Sequence, residues 1–377
     1  MKPKIRFKGF EGEWKTSTIG EIAPLQRGYD LPTNNVISGT IPVVYSNGIL
    51  RFHNEGKCQA PAIITGRSGT IGKFTYIDHG EYWPHNTSLW VTTFHKNYPR
   101  FVYYFFQNVG FEKYATGSGV PTLNRNDIHK HIESIPSNKE EQQAIASYFT
   151  TLDSQISAST SRLASLKQMK AASLQAMFPQ EGETVPKIRF KGFKGEWKKV
   201  KADSIFKTFN EKNRPDLPVL SATQDRGMVT RESIGYNIFH DTSNEATYKH
   251  ILPGQFVIHL RSFQGGFAHS EIEGIASPAY TIMDFKNKDL YHDYYWRYVF
   301  MSKEFIKRLE LITYGIRDGR SISYDEFKEM SFLVPSKEEQ IKIASYLKNL
   351  DRQISLQSQR LEKLKQIKSA CLDKMFV

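Results

Sequence analysis

The sequence predicts an α+β chain in which two α/β domains are separated by two long antiparallel helices forming a coiled coil, the whole arranged as a pseudo-twofold internal repeat. Three observations predict it. The lead PKIRFKGFEGEWK at Pro3–Lys15 returns as PKIRFKGFKGEWK at Pro186–Lys198, with 12 of 13 residues identical. The stretch Lys139–Phe178 returns as Lys337–Phe376, with 23 of 40 residues identical. The two long inserts between these repeats show little identity to each other but carry short strand-like runs. The chain is accordingly divided into a lead (1–15), a first insert (16–134), a central helical spacer (135–178), a linker with the repeated lead (179–198), a second insert (199–333) and a C-terminal helical spacer (334–377).

The helices are predicted from their starts, seams and stops. Ser137-Asn138-Lys139-Glu140 after Pro136 has the form of a capping box, as does Ser336-Lys337-Glu338-Glu339 after Pro335. Pro179 stops the first helix after Phe178. Ile145, Phe149, Leu152, Ile156, Leu163, Leu166 and Met177 keep a 4,3 spacing, with Ser159, Lys170 and Ser173 at the remaining seam positions. The copy supplies Ile343, Leu347, Leu350, Ile354, Leu361, Leu364 and Met375, with Gln357, Lys368 and Cys371 in its gaps. A sustained heptad seam signals coiled-coil packing, and 40 residues of helix span about 60 Å. Each copy is the obvious partner of the other. The short link from the first helix to the second lead favours an antiparallel pair, whose polar seam residues restrict the register.

In the inserts, Ile41–Tyr45, Pro61–Thr65, Ser88–Phe94 and Gln255–Leu260 read as strands. The aromatic stretches Phe101–Gln107 and Tyr294–Phe300 read as helices whose stripe faces a core.

Composition bounds the function. At 39% hydrophobic and 13% aromatic the chain is globular. No apolar run is long enough to cross a membrane and the N-terminus lacks an apolar signal core, so a cytoplasmic location is expected. Only Cys58 and Cys371 occur, which fits a reducing compartment and leaves no cysteine cluster for zinc. A net charge of +12 points to a polyanionic partner, foremost nucleic acid. The excess does not lie in the inserts. Residues 16–134 carry 10 basic and 8 acidic groups and residues 199–333 carry 18 of each, so any nucleic-acid surface there must segregate its charges onto one face.

Glycine-rich loops supply the candidate contacts. Gly66–Lys73, with Arg67, Ser68, Thr70 and Lys73, corresponds at a common offset of 194 to Leu260–Gly266, with Arg261, Ser262 and Gln264. Late in each insert come Thr116–Arg125, with Ser118, Thr122, Asn124 and Arg125, and Tyr314–Ser321, with Arg317 and Arg320. Glycine allows close backbone approach, arginine forks onto guanine or phosphate, and amides read adenine edges. The same residue types also serve ordinary turns.

Catalytic signatures are missing. Five residues rather than four separate Gly66 from Gly72, and Phe74 stands where a phosphate-binding loop needs Ser or Thr. No Pro-Pro dipeptide, no Gly-x-Gly-x-x-Gly after a strand, and no metal-ligand spacing around His129 and His131 is present. The expectation is a non-enzymatic chain that holds neither metal nor cofactor.

At this point the chain resembles, over its full length, the specificity (S, HsdS) subunit of type I restriction–modification systems. The resemblance rests on the duplicated lead ending Gly-Glu-Trp-Lys, the duplicated helix starts Pro136-Ser137-Asn138-Lys139-Glu140-Glu141-Gln142 and Pro335-Ser336-Lys337-Glu338-Glu339-Gln340, and the Ile-Ala-Ser-Tyr and Leu-Asp-x-Gln-Ile-Ser continuations. It implies two target recognition domains, each reading one half of a bipartite asymmetric sequence in double-stranded DNA. It implies helices that set the gap and dock two modification (methyltransferase) subunits, which bring S-adenosylmethionine. Restriction subunits with ATP-dependent translocase and nuclease activity then join. Carried onto this sequence, it adds the loops of Tyr45, Ser46 and Asn47, of His85 and Asn86, and of Ser221, Thr223 and Gln224 to the DNA-reading candidates. An orphan or phase-variable subunit directing methylation alone, and a coiled-coil adaptor with two protein-binding domains, are the alternatives.

Overall fold

The computed structural model describes residues 2–376 apart from 118, 224–225, 235–241, 260–265 and 313–322. Its contacts divide the chain into two units, Met1–Ser161 with Gln359–Val377, and Arg162–Ser358. The division cuts both long helices. Each unit therefore holds one lead, one insert, the beginning of one helix and the end of the other.

The first insert runs β1 (Lys15–Thr18), α1 (Ile19–Ile22), β2 (Leu25–Arg27), β3 (Ile41–Tyr45), β4 (Gly48–His53), β5 (Cys58–Gln59), β6 (Ala62–Gly66), β7 (Phe74–Ile77), β8 (Glu81–Pro84), β9 (Ser88–Val91), α2 (Pro99–Val109), α3 (Arg125–His129) and β10 (Ile132–Ile135), before helix α4 (Lys139–Ala176). One four-stranded sheet has the order β2-β9-β6-β7 and a second the order β4-β3-β8-β5, with β3 and β8 parallel. β1 and β10 pair antiparallel and close the base of the insert, with Lys15 opposite Ile135.

The second insert runs β11 (Lys198–Lys201), α5 (Ala202–Ile205), β12 (Phe206–Phe209), β13 (Leu220–Thr223), β14 (Gly227–Thr230), β15 (Lys249–Ile251), β16 (Phe256–Ile258), β17 (Phe267–His269), β18 (Gly274–Ala276), β19 (Thr281–Phe285), α6 (Asp293–Met301), α7 (Lys303–Ile312), α8 (Tyr324–Glu329) and β20 (Ser331–Val334), before helix α9 (Lys337–Met375). Its main sheet, β12-β19-β16-β17, repeats the order of the first. The pairs β13–β14 and β15–β18 are joined by a parallel bridge between Val219 and Ile275, which reproduces the β4-β3-β8-β5 arrangement. β11 and β20 close the base as β1 and β10 do. The two inserts thus share a topology that their residue identities hide, because strand order depends on the apolar pattern rather than on particular side chains. The expected strands are present with shifted ends: β6 begins one residue later than expected, and β9 ends at Val91, beyond which Thr92 N–H bonds Pro24 O at 3.0 Å.

The aromatic helices are core. Phe101, Tyr104, Phe105 and Phe106 of α2 and Tyr295, Trp296 and Tyr298 of α6 are buried. Their neighbours include seam residues of the long helices. Ile145, Phe149 and Leu152 share a hydrophobic cluster with α2 and with Met375 and Phe376 of the other helix's end. Ile343, Leu347 and Leu350 share one with α6, Leu166, Met177 and Phe178. Ile354, Leu364, Ile156 and Leu163 are half-buried. The seam is therefore filled from two sides, by the opposing helix and by the aromatic helix of an insert.

The repeated residues have repeated partners. The sequence places the first cap at Ser137, but Asn138 Oδ1 accepts the Glu141 N–H at 3.0 Å, one position later. In the copy Ser336 Oγ accepts the Glu339 N–H at 3.4 Å. Among the described residues neither glutamate side chain bonds back to its cap's N–H, as a capping box requires. Both are 1% exposed and are gripped by the lead. Arg6 donates to both Glu141 oxygens at 2.7 and 2.8 Å, and Arg189 to both Glu339 oxygens at 2.7 Å. Arg6 and Arg189 also donate to Gly12 O and Gly195 O, each at 2.6 Å, and Trp14 Nε1 donates to Glu141 at 3.3 Å. The hydrogen bond to the glutamate raises each guanidinium above its ordinary pKa. The next residue holds the insert: Gln142 accepts from Tyr98 N at 2.7 Å and Gln340 from His292 N at 2.9 Å, just before α2 and α6.

Farther along, Tyr104 OH and Lys368 Nζ converge on Asp153 at 2.9 and 2.6 Å, while Tyr298 OH and Lys170 Nζ converge on Asp351 at 2.7 and 2.5 Å. Tyr148 OH meets Cys371 Sγ at 3.3 Å, and Tyr346 OH meets Ser173 Oγ at 3.3 Å. Moving from Tyr148 to Asp153 along α4 moves from Cys371 back to Lys368 along α9, so the helices pack antiparallel. The lysines expected as seam interruptions are ion-pair partners. The leads close the frame: Ile5 N–H bonds Lys374 O and Ile188 N–H bonds Ala176 O, both at 2.9 Å. Among the described residues no helix is long and apolar enough to cross a membrane.

Replacing Arg6 with Ala leaves the Glu141 carboxylate buried without its counter-charge. It is expected to cost about 3 kcal/mol in denaturant unfolding, against less than 1 kcal/mol for Lys8→Ala on the same lead. Lys368→Met is expected to cost about 1 kcal/mol, and a double-mutant cycle with Asp153→Asn to show coupling between the two sites.

Candidate nucleic-acid interface

In the first unit the four candidate loops come together. The Tyr45–Gly48 turn joins β3 to β4, and the Tyr45 ring lies against the His85 ring with centroids 4.2 Å apart. His85 bonds Thr87 Oγ1 through Nδ1 at 3.0 Å, and burial holds its pKa below the ordinary value, which favours the neutral ring. Arg67 sits at the centre. Its N–H donates to Thr87 O at 2.9 Å and its carbonyl accepts from Leu123 N at 2.8 Å. Ser68 bridges Thr122, Gly69 N–H donates to Pro121 O at 2.9 Å, and Thr116 and Thr122 exchange backbone hydrogen bonds at 2.8 and 2.9 Å. Backbone bonds thus stitch the loops of residues 66–73, 85–88 and 116–125 into one surface.

Glycine makes the central loop possible. A Cβ on Gly66 would lie 1.8 Å from Thr70 O and 3.1 Å from Ser46 Cβ, so the turn carrying Arg67, Ser68 and Thr70 closes over a position that admits no side chain. Gly69 is different: its φ is +79° but nothing lies within 4 Å of a Cβ there.

The candidate side chains divide by commitment. Arg67, Lys73 and Arg125 have no ion-pair partner among the described residues, and Asn47, Thr70, Lys73 and Arg125 are exposed. Asn124 has a structural use, because Oδ1 caps α3 by accepting the Asn126 N–H at 3.0 Å. Asn86 donates through Nδ2 to Asp30 Oδ1. Ser118 lies outside the described residues. In the second unit Ser221 is half-buried on β13. Thr223 closes the β13–β14 turn, donating to Gly227 O at 2.8 Å and accepting from Arg226 N at 3.2 Å. That turn occupies the place of Tyr45–Gly48. Gln224, Arg261, Ser262, Gln264, Tyr314, Arg317, Arg320 and Ser321 lie outside the described residues.

Sequence reasoning missed one loop. Gly28 N–H bonds Ser88 O at 3.0 Å and Tyr29 N–H bonds Pro84 O at 2.8 Å, which brings Arg27, Tyr29 and Asp30 beside His85 and Asn86. The signal in the sequence was Gly28 directly after a short strand, a pattern shared with any turn.

Two inserts of one strand order, each carried between a repeated lead and a repeated long helix, define a tandem repeat. The family model for the type I restriction modification DNA specificity domain matches the chain twice, at residues 11–168 and 194–366. The chain belongs to that family, and it is a DNA specificity subunit of a type I restriction–modification system. Among solved structures it is similar to the S subunit of the type I restriction–modification system from M. genitalium, with 16% identity over 100% of this chain and 99% of that one and a TM-score of 0.68. It is also similar to a chain from a structure concerned with complex assembly and conformational transition of the type I R-M system, with 15% identity over 97% and 98% of the two chains and a TM-score of 0.51. No curated protein matches the chain in sequence.

Gly66→Ala is expected to destabilise the protein by about 2 kcal/mol, because the Thr70 carbonyl must move. Gly69→Ala is expected to cost about 1 kcal/mol, for backbone strain alone. Equal costs in denaturant unfolding would contradict the packing described for this loop.

Proposed function

We propose that each insert is a target recognition domain reading one half of a bipartite, asymmetric sequence in double-stranded DNA. The first domain spans residues 16–134 and the second 199–333, and these cuts fall at the two closing ribbons. In the first, Arg67, Ser68, Thr70, Lys73 and Arg125 with the turn of Tyr45, Ser46 and Asn47 supply contacts to bases and phosphates. In the second, the corresponding contacts are assigned from the sequence to Ser221, Thr223, Gln224, Arg261, Ser262, Gln264, Tyr314, Arg317, Arg320 and Ser321. The helical pair sets the gap between half-sites and docks two modification subunits that bind S-adenosylmethionine. ATP-dependent restriction subunits complete the assembly, which works in the cytoplasm. The chain itself catalyses nothing: it supplies sequence choice, and the methyl donor and catalytic groups come from its partners.

The observation that carries this reading is the pairing of one topology with two loop chemistries. One strand order twice over fixes how each surface is presented, while unlike loops give unlike half-sites.

Exchange of residues 199–333 for the insert of another family member, followed by mapping of methylated motifs, is expected to change one half-site and leave the other and the gap intact. A change in both half-sites would refute modular reading. DNA binding by the subunit with its modification partners is also expected to weaken steeply with salt, since each phosphate contact by a lysine or arginine releases counterions.

A further inference from the structure

The loop after β2 is fixed more firmly than its exposure suggests. Besides its two backbone bonds to the 84–88 segment, it approaches so closely at Gly28 that a Cβ there would lie 2.2 Å from His85 O and 2.4 Å from Pro84 O. On this backbone the Asp30 carboxylate accepts from Asn86 Nδ2 and faces Arg27 Nη2 at 3.7 Å. Asn86 hydrogen-bonds it, yet it remains 73% exposed, so its remaining lone pairs are open to a ligand. It stands beside His85, which lies against Tyr45, and beside Thr87, whose carbonyl holds Arg67.

A fixed, open carboxylate on a surface that meets a polyanion repels phosphate. In the major groove its attractive partners are exocyclic amines, N4 of cytosine and N6 of adenine. The edges of guanine and thymine turn acceptors toward it. We infer that Asp30 is a specificity-determining residue of the first module, accepting a hydrogen bond from the exocyclic amine of cytosine or adenine and rejecting guanine and thymine at one position of one half-site. Asn86 is the positioning residue, which orients the carboxylate without being the acceptor. The inference rests on the proposal that the first module reads DNA through this loop cluster. The second module does not repeat the arrangement: the stretch after β12 is Asn210-Glu211-Lys212, and the Glu211 carboxylate meets His250 Nδ1 at 3.3 Å. The effect is therefore confined to one half-site.

The test is the methylated motif produced in cells by the full chain with its own modification subunit, comparing wild type with Asp30→Asn and Asp30→Ala. Asp30→Asn keeps the shape and turns one acceptor into a donor. It is expected to admit guanine or thymine at one position, lowering discrimination there about tenfold or more. Asp30→Ala is expected to lose preference at the same position. The second half-site and the gap stay unchanged in both. A motif identical to wild type in both variants overturns the inference. Loss of all methylation by Asp30→Asn assigns the residue to folding and overturns it as well. Absence of any sequence-specific methylation with the wild-type chain would instead refute the reading on which the inference rests.

Discussion

Everything in this chain hangs on a glutamate buried in the first turn of each long helix. Glu141 and Glu339 are charged groups at positions where water cannot reach, and such a group is tolerated only with a counter-charge and full hydrogen bonding. The arginine of each lead supplies both through a two-pronged contact, and the helix N-terminus adds a favourable field. The requirement explains why the lead is repeated nearly word for word. Arg6 must reach Glu141 across 135 positions of sequence, and the residues around it, from the Gly12 carbonyl to Trp14, form the cradle that aims it. The inserts are not bound by this constraint and have diverged around a common strand order.

The same economy governs the middle of the helices. A lysine in an apolar seam is unfavourable unless it is matched, and the structure matches Lys170 with Asp351 and Lys368 with Asp153. Each aspartate also takes a tyrosine hydroxyl from the insert's aromatic helix. Register, helix direction and insert placement are therefore fixed by one carboxylate in each unit. A slip of one heptad would strand both charges, so the polar residues give up some stability to exclude wrong pairings.

The frame was legible in the sequence because its residues answer to one another twice. Heptad spacing, paired caps and the repeated lead each predict a local structure, and these predictions agree. The mistakes are instructive. Ser137 followed by Glu140 reads as a capping box, but Asn138 caps instead, one position later, and Glu141 belongs to a partner far away in the chain, which no local pattern reveals. At the candidate interface, the loop of Arg67 could be found because glycine, arginine and hydroxyl residues cluster there. The loop of Asp30 could not, since Gly28-Tyr29-Asp30 reads as an ordinary turn until folding presses it against residues 84–88. Asn124 shows the reverse: an amide suited to reading adenine is occupied in capping a helix.

The division of the chain into units has a consequence for biosynthesis. Residues 162–358 form one unit from a continuous stretch, whereas the other needs residues 359–377 as well as 1–161. Met375 and Phe376 lie in the same hydrophobic cluster as Trp14, Phe101 and Phe149. A ribosome therefore releases everything the second insert requires before it delivers the last pieces of the first insert's core. Of the two units, the one begun first is completed last, and until the end of α9 emerges the aromatic face of α2 lacks part of its cover.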